Sequence, residues 1–139
     1  SNDLLNNDLK KIKPDFIFYF FSPKIITGVS KKIDKNYINV FLNIPKKIFY
    51  IASKYKKKFK IFYPSTIFIN KQEEYKYLKS YIDVKKKAEI EFKKLTYKNT
   101  FFITRMPQLK TRSNYNPFLG KYIGIKLDYL SSKLFDFFK

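Results

Sequence analysis

The sequence predicts an α/β domain, a parallel sheet of about three strands with helices on its faces. Apolar runs of strand length at residues 15–22, 59–68 and 100–105 alternate with helix-forming stretches at about 36–58, 74–97 and 127–138. Strand, helix, strand, helix, strand, helix with right-handed crossovers gives parallel strands. A chain of 139 residues fits one domain, spanning residues 1–139, and buries roughly two-thirds of its unfolded surface.

Residues 1–14 are polar and end in Pro14, which disfavours helix in Lys13 and starts an extended segment. The continuous apolar run Asp15-Phe-Ile-Phe-Tyr-Phe-Phe21 has the pattern of a strand covered on both faces, and Ser22-Pro23 ends it. Residues 24–34 read as a loop around Gly28, and the following helix meets a kink or break at Pro45. Lys60-Ile-Phe-Tyr63 opens a second buried strand running through Ser65 and Thr66. The stretch from about Glu74 to Tyr97, rich in Lys, Glu, Ala and Leu, is the clearest helix. Thr100-Phe-Phe-Ile-Thr104 is a third strand, closed by Arg105-Met106-Pro107. Residues 108–126 hold Pro117, Gly120 and Gly124 and read as loop with short pieces of structure. Leu127, Leu130, Leu134 and Phe138 mark the apolar stripe of a last helix.

Composition removes several chemistries. The chain has no Cys and no His, so thiolate nucleophiles, disulfides, a Ser-His-Asp triad and His- or Cys-built metal sites are excluded, and no metal is expected. The formal charge of +19 suits a polyanion partner. Yet of 30 basic residues only Arg105 and Arg112 are arginine, whose planar fork reads bases and phosphates bidentately. The surplus of Lys, Asn, Ile, Phe and Tyr fits an AT-rich coding bias better than nucleic-acid recognition. The most apolar stretch, Phe16–Phe21, falls far short of the ~20 residues a spanning helix needs. A soluble, cytoplasmic protein with no membrane partner is the expectation.

Five tyrosines are followed four residues later by lysine: Tyr50/Lys54, Tyr75/Lys79, Tyr81/Lys85, Tyr122/Lys126 and Tyr129/Lys133. On a helix such a pair shares a face. Tyr81 belongs to the apolar stripe Leu78, Tyr81, Ile82, Ala88, Phe92, Leu95, and Lys85 and Glu89 fall near its centre. Ionisable groups in that position need partners, because an unpaired buried charge is costly. Tyr50/Lys54 sits opposite Ile48, Ile51 and Ala52, and Tyr129/Lys133 lies on a polar face. Tyr75/Lys79 is off-centre, and Tyr122/Lys126 brackets Gly124. A structural reading of Lys85 is an ion pair with Glu89, or a snorkelling lysine. The catalytic reading is proton transfer by Tyr81, assisted by Lys85 and a hydroxyl at the end of the preceding strand.

Five fragments, in order, carry a resemblance across about Pro14 to Thr111. These are Pro14-Asp15-Phe-Ile-Phe-Tyr-Phe-Phe-Ser22-Pro23, Asn39-Val40, Lys60-Ile-Phe-Tyr-Pro-Ser65-Thr66, Tyr81-x-x-x-Lys85-x-x-x-Glu89 and Arg105-Met106-Pro107. Together they look like the C-terminal half of an extended short-chain dehydrogenase/reductase of the nucleotide-sugar epimerase/dehydratase kind. The resemblance implies a partial Rossmann-like, doubly wound sheet lacking the N-terminal dinucleotide-binding strands.

It implies, further, that Tyr81 is the acid/base and that Lys85 lowers its pKa and bonds the nicotinamide ribose. Ser65, with Thr66 as the alternative, would hold the substrate oxygen, and Asn39 would join the proton relay. Lys85, Ser22, Met106 and Pro107 would face NAD or NADP. The implied substrate is a small molecule such as a nucleotide sugar. The implied partners are the N-terminal half of the same polypeptide and a second copy meeting it through residues 37–57 and 75–97. Among only three glycines, Gly28, Gly120 and Gly124, there is no Gly-x-x-Gly after a strand, so this sequence by itself carries no cofactor loop. A non-catalytic scaffold or dimerisation domain of the same fold is the alternative, and a basic nucleic-acid-binding module a less favoured one.

Overall fold

The computed structural model describes residues 2–27, 31–95, 101–108, 115–116, 121–122, 124–126 and 128–138. Gly28, Thr100, Thr111, Pro117, Gly120 and Leu127 lie outside them. Three strands, β1 (Phe16–Phe18), β2 (Lys60–Thr66) and β3 (Phe101–Met106), form an open parallel sheet in the order β1-β2-β3. The helices are α1 (Asn2–Ile12), α2 (Lys31–Ile38), α3 (Ile44–Tyr55), α4 (Lys79–Leu95) and α5 (Asp128–Phe138). A short antiparallel pair, β4 (Tyr115–Asn116) and β5 (Lys121–Tyr122), lies between β3 and α5. The architecture is therefore α/β, with a three-stranded parallel sheet flanked by helices.

β2 is the central strand, and Ile61, Phe62 and Tyr63 are fully buried in it. One sheet face packs Tyr19, Ile61, Tyr63 and Phe101 against Leu42, Ile51 and Ala52 and against Ala88 and Phe92 of α4. On the other face Phe137 of α5 meets Phe16, Phe18, Phe62 and Phe102 edge-on.

Several expected bounds shift, each for a readable reason. β1 was expected over 15–22 and covered on both faces; it is a three-residue edge strand with Phe16, Phe18, Phe20 and Phe21 exposed. Its ladder runs through Lys60 N–H to the Asp15 carbonyl and Tyr19 N–H to the Phe62 carbonyl. The next rung requires an N–H from residue 64, which is proline, so pairing stops there. The segment 24–34, expected as loop, is helical from Lys31. The polar N-terminus carries α1, which Leu5 and Leu9 dock on α3, with the Tyr55 hydroxyl donating to Asn6 at 3.0 Å. That helix ends with Lys13 in the left-handed region, φ 47°, its N–H on the Leu9 carbonyl at 3.0 Å, and Pro14 follows, which cannot continue a helix.

The helix expected over 36–58 is interrupted, as Pro45 requires, by a π-helical turn, Asn39–Asn43. Here Ile44 N–H reaches back to the Asn39 carbonyl, five residues away. Pro45 would be the fifth-residue donor to Val40 and the fourth-residue donor to Phe41, and it has no N–H. Those two carbonyls are the ones taken by the sheet: Tyr19 donates its hydroxyl to Val40 at 2.5 Å and Tyr63 to Phe41 at 2.9 Å.

Candidate functional site

The candidate site lies at the carboxyl end of the sheet, where the N-terminal half of α4 crosses the end of β2. The expected helix start near Glu74 is delayed to Lys79. Tyr75 departs from helical geometry (φ −117°, ψ 39°) and packs its ring 4.4 Å from Phe68, so 3-10 turns lead in instead. The delay still leaves Tyr81, Lys85 and Glu89 on one face of α4, all buried.

Tyr81 sits edge-on to Phe41 at 5.5 Å and to Tyr37 at 6.0 Å. Its hydroxyl meets the Thr66 side chain, and Thr66 is itself held by accepting from Phe68 N–H at 3.3 Å. Burial pushes the Tyr81 phenol up to about 12, against the lowering effect of Thr66. This reverses the expected effect of Lys85. The Lys85 ammonium lies 6.0 Å from the centre of the Tyr81 ring and donates instead to the Pro64 carbonyl at 2.6 Å.

Lys85 is 5% exposed, and its Nζ stands 4.1 Å from the Phe41 ring centre and 4.5 Å from that of Tyr63. An aromatic cage plus one carbonyl is a fair host for an ammonium. Burial still lowers its pKa to about 7, although Glu89 nearby favours the charged form. Lys85 thus changes charge near neutrality, while Tyr81 stays a neutral donor and acceptor.

Ser65 does not meet Tyr81. Its hydroxyl donates to Glu89 Oε1 at 2.5 Å. Arg105 at the end of β3 closes a bidentate pair on the same carboxylate, Nε to Oε1 at 3.0 Å and Nη2 to Oε2 at 2.8 Å, and reaches Asn70 as well. Burial would raise the Glu89 pKa, but the hydrogen bonds from Arg105 and Ser65 outweigh it and hold the carboxyl below its usual range. Glu89 therefore pairs with Arg105 rather than with Lys85.

The remaining expected residues are scattered. Asn39 is exposed, because Tyr37, Val40 and Phe41 turn inward and leave it on the outer side of the π turn. Ser22, four residues beyond β1, is exposed and donates to the Pro23 carbonyl at 3.1 Å. Met106 is buried at the end of β3, in register with Thr66, and half-buried Pro107 follows it. An open recess of about 360 Å³ runs along Ile69–Glu74 without touching Tyr81, Lys85 or Ser65. Sequence reasoning missed Tyr37, Phe41 and Tyr63 as walls of the site. The available signals were the i, i+4 aromatic pair Tyr37/Phe41 and the same-face spacing of Tyr63 and Ser65 on one strand.

No protein-family model, curated protein sequence or solved structure matches this chain. Among the described residues no helix is long and apolar enough to cross a membrane, and no group of three or more acidic side chains could hold a metal ion. The described residues do not fit a dinucleotide: Lys85 is closed over by rings, and no glycine-rich turn opens a helix beside β1.

Proposed function

We propose that this chain is the catalytic half of an NAD(P)-dependent epimerase, dehydratase or reductase of the short-chain dehydrogenase/reductase kind, without turnover of its own. One observation carries the reading. Tyr81 and Lys85 lie one turn apart on the buried face of α4, beside a hydroxyl at the carboxyl end of a parallel strand. Ligands of open α/β sheets bind beyond that edge. In this reading Tyr81 exchanges a proton with a substrate carbonyl or hydroxyl, and Thr66, rather than Ser65, is its hydroxyl partner. Lys85 assists once it leaves the Pro64 carbonyl. Ser65, Glu89 and Arg105 hold the ends of β2 and β3 against α4.

NAD or NADP would be held by a glycine-rich segment supplied with the other half of the sheet, and the substrate would be of the sugar type. Exposed Tyr50 on α3 and Ile90 on α4 support pairing with a second copy through these helices. A cytoplasmic location belongs to the same reading. The test joins this chain to the coding sequence upstream of it. The joined protein should be stabilised by millimolar NAD or NADP, and Tyr81→Phe should cost about 10²–10⁴-fold in turnover. Unchanged turnover in Tyr81→Phe would end the assignment.

A second reading, a non-catalytic scaffold of the same fold, is favoured by the closed state of the dyad. Lys85 is bound to Pro64, Ser65 is bound to Glu89, and Tyr81 has a raised pKa. It predicts no shift in melting temperature with either dinucleotide, in this chain or in a longer one.

A further inference from the structure

Lysines crowd the amino-terminal pole of the sheet, the end opposite the Tyr81 site. α1 ends in Lys10 and Lys11, and Lys13 leads from it into β1. α3 carries Lys54 in its last turn and is followed by Lys56, Lys57 and Lys58 before β2. Both connections enter the sheet side by side. Lys56 Nζ donates to the Lys13 carbonyl at 3.1 Å and to Asp15 at 2.5 Å, and Lys60 N–H bonds the Asp15 carbonyl at 2.8 Å.

The two poles differ in how the lysines are compensated. At the carboxyl pole Lys71 pairs with Glu74, Lys76 with Glu73 and Lys79 with Asp83, while Lys24 and Lys35 form no ion pair among the described residues. At the amino pole Asp15 is taken by Lys56. Lys10, Lys11, Lys13, Lys54, Lys57 and Lys58 are exposed and form no ion pair among the described residues. Helix dipoles favour a cation or two in each last turn. They do not account for six unpaired ammonium groups gathered from two neighbouring connections. Like charges this close repel, so the arrangement gains from an external polyanion.

We propose that this amino-terminal pole is a binding surface for the phosphate backbone of nucleic acid. On these connections the lysines outnumber the carboxylates Asp8 and Asp15, and Ile12 and Phe16 are large apolar side chains exposed beside them. Six unpaired ammonium groups on one side match the closely spaced charges of a phosphate backbone. Lysine meets phosphate as a point charge and does not read base edges in a fixed fork. The scarcity of arginine therefore predicts binding without sequence preference rather than no binding. This surface is independent of the Tyr81 chemistry and stands or falls separately from it.

The test is anisotropy of a labelled random-sequence 20-base-pair duplex, titrated with the wild-type chain between 50 and 200 mM salt. Two variants with equal loss of charge are compared, Lys11→Gln/Lys57→Gln/Lys58→Gln at this pole and Lys71→Gln/Lys76→Gln/Lys79→Gln at the other. The pole variant should bind about tenfold or more weakly at 150 mM salt. Its log–log salt slope should fall by roughly 0.9 for each lysine removed, with the other variant close to wild type. Equal losses in both variants would reduce the effect to diffuse net charge and overturn the proposal. So would no duplex binding at 150 mM salt, or binding to phosphatidylserine vesicles in place of duplex. Unchanged circular dichroism of both variants keeps the comparison valid.

Discussion

The hydroxyl of Tyr63 donates to the carbonyl of Phe41 at 2.9 Å, so a strand side chain supplies the proton that a helix proline withholds. The relationship joins the sheet to the π turn and sets Phe41 over Lys85. Burial pushes the Tyr63 phenol far up, and the neutral hydroxyl stays a donor. Tyr63→Phe leaves the Phe41 carbonyl buried without this partner and should cost about 1–3 kcal/mol. If Pro45 creates the need, Pro45→Ala returns an N–H to the helix, and Tyr63→Phe should cost less in that background. Urea unfolding of the four proteins in a double-mutant cycle measures the coupling. A coupling of zero would separate Tyr63 from Pro45.

Lys85 should destabilise the fold below neutrality. Its folded pKa of about 7 lies below the ordinary 10.5, so between those values the unfolded chain binds the extra proton. Stability from this group then rises with pH, by at most about 1.4 kcal/mol per unit. Lys85→Met keeps the length of the side chain without the charge. It should be more stable than wild type at pH 6, with the gap closing as pH approaches 10. A gap independent of pH would mean that the ammonium is better solvated than its burial implies.

Glu89 stabilises the fold where Lys85 destabilises it, and its contribution likewise rises with pH, in a lower window. Its carboxyl is held below the usual range, so its contribution is present above the unfolded pKa near 4.5 and is lost as pH falls through the lower folded value. Glu89→Gln breaks the pair with Arg105 and should remove about 1–3 kcal/mol at pH 7. The loss should shrink steadily below pH 4.5. Acid titrations of unfolding free energy for the two proteins decide it.

The fold was legible where local chemistry and tertiary demand agree. The three apolar runs became the strands, and the α4 stripe placed Tyr81, Lys85 and Glu89 on one buried face. Legibility failed where a partner distant in sequence decides. Asp15 to Ser22 reads as a fully covered strand, yet it lies at an edge where rungs depend on residue 64. Ser65 was the expected hydroxyl at the site. Strand alternation turns it toward Glu89, whose position follows from a helix 24 residues away. α1 went unseen because its apolar face is only Leu5 and Leu9, and Tyr55 supplies the rest of its anchorage.

Pro64 gives the sharpest test of why β1 is short. In the parallel ladder Tyr19 N–H reaches the Phe62 carbonyl, and the following rungs would be residue 64 N–H to the Tyr19 carbonyl and Phe21 N–H to the Pro64 carbonyl. Proline forbids the first, and Lys85 occupies the acceptor of the second at 2.6 Å. Pro64→Val restores one donor and should extend pairing by a single rung, with slow exchange at the new amide of residue 64. Adding Lys85→Met frees the carbonyl, so Phe21 N–H should then become protected too. The strand would approach the length its apolar run suggests. Amide exchange followed by NMR distinguishes the steps. Protection of Phe21 in Pro64→Val alone would show that Lys85 does not compete for that carbonyl. Protection absent from both variants would place the limit on β1 in the exposed phenylalanines, not in proline.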